Sequence, residues 1–120
     1  MRNLLALPLA AACGAFALLA GAGAWAHARL LEANPAQNAA VESPRQIVLR
    51  FSEKLEPQFS GFEVTAAGAH VPLQVSLDKD HKSLVGLPAK PLAGGAYQVT
   101  WHVVSADGHR MQGGYAFTVR

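Results

Sequence analysis

A period-two alternation of apolar and polar residues restricts this chain more than any other feature. In "QIVLRFSEKL", Ile47, Leu49 and Phe51 alternate with Val48, Arg50 and Ser52. "GFEVTAAG" places Phe62 and Val64 against Glu63 and Thr65, and "YQVTWHVV" places Tyr97, Val99, Trp101 and Val103 on one side. "GYAFTVR" does the same with Tyr115, Phe117 and Val119. Successive side chains of a strand point to opposite faces, so each run is a strand with one buried side. No stretch carries helical amphipathicity. Further short strands are expected at Arg29–Glu32, Pro72–Leu77 and Ser83–Leu87. The intervening "ANPAQNA", "EPQFSG", "AAGAHVP", "LDKDHK", "LPAKPLAGG" and "SADGHRMQGG" are rich in turn residues. About seven strands at this spacing predict an all-β fold, an Ig-like Greek-key sandwich or barrel. Trp101 is its expected core tryptophan.

The first 26 residues read differently. Arg2 is followed by an apolar run from Leu4 to Ala20, and Ala24-Trp25-Ala26 is a small-x-small motif. These are the marks of a secretory signal peptide cut after Ala26, which predicts an exported, periplasmic domain over 27–120. A retained membrane anchor is the alternative, but no basic stop-transfer cluster follows. A lipoprotein leader ending at Cys13 is another, although Ala10-Ala11-Ala12 lacks the usual lipobox leucine.

Cys13 is the only cysteine, so a domain starting at His27 has none. Disulfides, thiolate metal sites and cysteine nucleophiles are thereby excluded from it. With Arg2 in the leader, nine of the ten Lys/Arg face eight Asp/Glu, interspersed along the domain. Such a balance argues against nucleic acid as a partner and offers no polybasic block for a membrane surface. Nucleophile elbow, Walker loop and HExxH are all missing, so the reading contains no enzyme.

The five histidines carry the remaining chemistry. Cleavage after Ala26 would make His27 the amino terminus, where its α-amine and imidazole Nδ1 can chelate one metal ion in a six-membered ring. In "SADGHRMQGG", Asp107 and His109 lie two apart, which in an extended segment puts both on one side. One amine, two imidazoles and a carboxylate are nitrogen and oxygen donors suited to Cu(II), whereas missing thiolates argue against structural zinc. His102 alternates with Trp101 and Val103 and is expected to face solvent. His70 and His81 fall in loops, and Met111 is the only methionine after the leader, so a soft Cu(I) cluster is missing. Glu53 and Glu56 in "SEKLEP" form a local acidic pair, read as a solvated strand end.

With these residues in place, the chain resembles the CopC family of periplasmic copper-binding proteins. The resemblance rests on "AHARLLEANPA", "IVLRFSEKLEPQFSG" and "YQVTWHVVSADGHRMQGGYAFTV". It implies a Greek-key β-barrel or sandwich that holds one Cu(II) through His27, Asp107 and His109. Glu53 matches a family glutamate near the copper and is carried over as a weak or neighbouring ligand. It also implies a monomer working beside a CopD-like inner-membrane protein. Some members bind Cu(I) in a methionine-rich loop, but the corresponding "TAAGAHVPLQV" has no methionine and keeps only His70. Two other functions compete: a copper-dependent oxidase or oxygenase, for which a domain of this size leaves little substrate face, and a metal-free Ig-like interaction module.

Overall fold

The computed structural model describes residues 27–120, so the expected leader lies outside the described residues. Nine strands run in chain order: β1 (Leu30–Asn34), β2 (Ala40–Val41), β3 (Ile47–Phe51), β4 (Gly61–Ala66), β5 (Ala69–His70), β6 (Leu73–Leu77), β7 (Ser83–Pro88), β8 (Gly95–Val104) and β9 (Arg110–Val119). One 3-10 turn, Pro57–Phe59, is the only helical element among the described residues. Among the described residues, no helix is long and apolar enough to cross a membrane.

The strands form two sheets, ordered β1-β3-β7-β6 and β2-β9-β8-β4-β5. Seven strands have five or more residues, as the alternation predicts. The two-residue β5 falls within "AAGAHVP", read as a turn, and β2 follows directly after "ANPAQNA". The apolar sides of the alternating runs all face inward: Ile47, Leu49, Phe51, Phe62, Val64, Tyr97, Val99, Trp101, Val103, Tyr115, Phe117 and Val119 are buried in one core. Removing such a side chain from water contributes about 1.5–3 kcal/mol each, so the pattern itself drives the two sheets together.

Contacts between the layers set their spacing. Phe51 of β3 meets Trp101 of β8 edge to face, ring centroids 5.1 Å apart. Phe62 of β4 lies over Gly86 of β7, where an added Cβ would come within 2.5 Å of its ring.

Two boundaries differ most from the sequence reading. β1 runs through Asn34, because Glu32, Ala33 and Asn34 pair with Arg50, Leu49 and Val48. Residues 110–114, expected in a turn, belong to β9 and pair with β8. Their glycines, taken as turn residues, have another purpose: a Cβ on Gly113 would lie 2.4 Å from the Trp101 indole, and one on Gly114 would lie 2.9 Å from the Val99 carbonyl oxygen. A bare backbone is what lets β9 pass the indole there.

Antiparallel pairing brings four chain segments to one end of the sandwich. The start of β1 lies beside the end of β3, through Leu30 and Phe51. The end of β8 lies beside the start of β9, through Val104 and Arg110. The segment after β3 then joins the two sheets: Leu55 bridges to Ser105, Glu56 N–H donates to the Val104 carbonyl (2.8 Å) and Ala106 N–H donates to that of Lys54 (2.8 Å).

Candidate metal centre

His27 arrives at this end because the residues after it are anchored. Ala28 is fully buried. Arg29 N–H donates to Ser52 Oγ (2.9 Å) and Ser52 N–H returns to the Arg29 carbonyl (2.9 Å). These contacts set the entry of β1, and the His27 imidazole then packs against His109. Their centroids are 4.6 Å apart and their planes cross at 63°. His27 Nδ1 is buried and accepts or donates no hydrogen bond. A buried ring nitrogen without a partner is unfavourable unless something else satisfies it.

Asp107 and His109 are also together, though by another route than the one expected. The sequence reading places them on one side of an extended segment, whereas residues 106 and 107 form a turn. Gly108, at φ +94°, carries the backbone through a conformation costly for other residues. Gly108 N–H donates to the Ser105 carbonyl (2.8 Å) and Ser105 N–H to the His109 carbonyl (2.9 Å). The closed turn leaves His109 Nδ1 3.0 Å from Asp107 Oδ1. Ser105 Oγ, in a residue 1 % exposed, also donates to Asp107 Oδ1.

The Ser105 hydroxyl, followed by His109, holds the Asp107 carboxyl at about 2, below its ordinary value. Asp107 is therefore an anion at neutral pH. A carboxylate at 3.0 Å from Nδ1 calls for a proton on that nitrogen. In its neutral form the His109 ring then presents Nε2 as its free lone pair, the arrangement by which a carboxylate commonly orients a metal-binding imidazole.

Glu53 and Asp107 line the same depression of about 340 Å³, together with Lys54, Lys82 and Ser105. Among the described residues, no three His, Cys, Asp or Glu side chains are already gathered as a complete metal-binding group. The geometry is two pairs, His27–His109 and Asp107–His109, that share one ring. Its donors nevertheless suit a metal: a buried unsatisfied imidazole nitrogen, a second imidazole and an adjacent carboxylate. Nitrogen and oxygen donors of this kind fit Cu(II) better than a soft ion.

The other histidines lie elsewhere. His102 is exposed and points away from the core, as its alternation predicts. It lines a larger depression, about 620 Å³, with Phe59, Arg110 and Met111. His70 is exposed on β5, opposite Thr65 of β4. His81 is an exposed turn residue at φ 61°, and its carbonyl accepts the Leu55 N–H. Glu56 serves the backbone pairing just described. Ser105, passed over as one residue of a turn, is the polar group that sequence reading missed. Its signal was a serine two residues before an aspartate at a strand end, a common self-capping turn.

The fold and the site define an all-β two-sheet domain with a histidine pair at one end, its His109 ring exposed and its His27 ring half-buried. The chain belongs to the CopC family: the CopC domain matches residues 30–120. It is 40% identical over 112 residues to copper resistance protein C of Xanthomonas campestris pv. juglandis, covering 87% of this chain and 88% of that one. The crystal structure of PcoC, a methionine-rich copper resistance protein from Escherichia coli, superposes with a TM-score of 0.74 at 40% identity, covering 79% of this chain and all of that one. CopC from Methylosinus trichosporium OB3b gives a TM-score of 0.70 at 35% identity, covering 78% and 93% respectively.

Proposed function

We propose that this chain is an exported, periplasmic copper-binding protein that holds one Cu(II) in copper tolerance or in delivery to a membrane partner. The observation that carries the reading is the meeting of His27 with His109 across four separate chain segments, with His27 Nδ1 buried and unpartnered. Copper-resistance proteins of the same family and fold support it. In this reading the cut after Ala26 frees the α-amine, which binds with the His27 imidazole. His109 contributes Nε2, and Asp107 supplies its negative charge and its free oxygen. Glu53 stands nearby as a weak ligand or as a hydrogen-bonding neighbour. A CopD-like inner-membrane protein would receive the ion from a monomer. Catalysis has no part in this reading, because the carboxylate takes a position that oxygen chemistry would need open.

One measurement tests most of this. The intact mass of the exported protein, taken with and without Cu(II), reports the amino terminus and the stoichiometry together. A chain starting at His27 with one copper is expected. A metal-free mass at excess Cu(II) rejects the reading and favours an interaction module. Turnover with a reductant and oxygen would instead favour the oxidase.

A further inference from the structure

We infer that Ser105 is a positioning residue, whose hydroxyl holds the Asp107–His109 turn in its metal-ready form before any ion arrives. The inference rests on the copper reading above. Ser105 ends the buried alternation of β8, so its side chain lies under the turn and is 1 % exposed. Its hydroxyl has one proton and two lone pairs. The proton goes to Asp107 Oδ1. A lone pair accepts the His109 N–H at 3.3 Å. The His109 carbonyl, also 3.3 Å away, is left without that proton and is served by Ser105 N–H at 2.9 Å. One side chain thus ties the carboxylate of residue 107 to the backbone of residue 109, across the left-handed Gly108.

The consequence is specific to one nitrogen. Asp107 Oδ1 is held where it accepts a hydrogen bond from His109 Nδ1–H, so Nε2 is the lone pair offered to the ion. Without the hydroxyl, the carboxylate can rotate away and the ring can exchange its tautomers. A metal ion would then have to select one arrangement among several, which weakens binding without removing a ligand. The Leu55–Ser105 bridge holds the same residue against the segment that carries Glu53.

The test uses the exported protein, its Ser105→Ala variant and Ser105→Thr, which restores a hydroxyl. Cu(II) affinity is expected to fall about tenfold in Ser105→Ala, the lower end for residues that orient a metal ligand, and to return in Ser105→Thr. A merely structural residue would not move the second readout, the ¹⁵N signature of the His109 ring in the metal-free protein. That ring is expected in the single Nδ1–H form in the parent and as a mixture in Ser105→Ala. An unchanged affinity and tautomer in Ser105→Ala overturns the inference. A mixed tautomer in the parent also overturns it, and that measurement stands even if Ser105→Ala fails to fold. A parent protein that binds no Cu(II) yet shows the single tautomer would sink the copper reading and leave the positioning role intact.

Discussion

The imidazoles of His27 and His109 meet edge to face, 4.6 Å between centroids, although 82 positions separate them in the chain. His102, seven residues before His109, is exposed on β8 and lines a separate depression with Phe59 and Met111. Replacing His109 by alanine should therefore weaken Cu(II) binding strongly, by more than the about tenfold expected for a residue that only orients a ligand. His102→Ala should bind as the parent does. Calorimetric titration of both variants decides this, and equal losses would mean that the site is assigned wrongly.

If export leaves His27 as the amino terminus, as proposed, a single residue added before it should lower Cu(II) affinity by at least about tenfold, or roughly 1.4 kcal/mol. The added peptide bond turns the α-amine into an amide, whose lone pair is delocalised into the carbonyl. Every side chain stays in place, and thermal stability should not change. Matched titrations of proteins starting at His27 and one residue before it check this. Equal affinities would show that the amine is not a ligand.

Cu(I) should bind much more weakly than Cu(II). The domain after Ala26 has no cysteine, and Met111 packs its side chain against the core. Soft sulfur donors are what select Cu(I). Competition with a Cu(I) chelator at neutral pH provides the measurement. Tight stoichiometric Cu(I) would point instead to His70, His81 or Met111.

Gly86→Ala and Gly113→Ala should each destabilise the fold by about 1–3 kcal/mol, the usual cost of overpacking. Their new methyl groups would lie 2.5 Å from Phe62 and 2.4 Å from Trp101, both rings being held in the core. Gly68→Ala, with nothing within 4 Å, isolates the separate cost of a positive φ of +80°. Denaturant midpoints of the three variants measure the difference.

Tyr115 is buried and its hydroxyl has no hydrogen-bond partner. Burial pushes its phenol up to about 12. Burial disfavours only the ionised form, so the titration leaves stability untouched below the ordinary value of 10.0 and lowers it as pH rises from there through about 12. Tyrosinate absorbance should accordingly show one late-titrating tyrosine in the native protein. Tyr115→Phe should remove that step and leave neutral-pH stability equal or higher, since it deletes an unsatisfied group. A clear loss of stability would reveal a partner for the hydroxyl.

Strand identity and facing were legible in the sequence because they are local: a period of two says which side chains share a face, whatever the strand packs against. That is why Ile47, Leu49, Phe51 and Trp101 could be assigned to the core, and His102 to solvent, from alternation alone. The course of residues 110–114 was not legible. Glycine reads as a turn residue until Trp101 is known to lie over Gly113.

The candidate ligands followed the same division. Residue type and spacing marked His27, Asp107 and His109 as donors, and their chemistry pointed to a nitrogen and oxygen site for copper. Their convergence depended on long-range pairing. Register between β1 and β3 and between β8 and β9, with the Leu55–Ser105 bridge across the sheets, brings the four segments to one end. Nor could spacing show that Asp107 reaches His109 through a turn, or that the buried Ser105 hydroxyl holds that turn closed. Hydrogen bonds of a buried group depend on what the fold places around it, and the order of residues along the chain does not specify that.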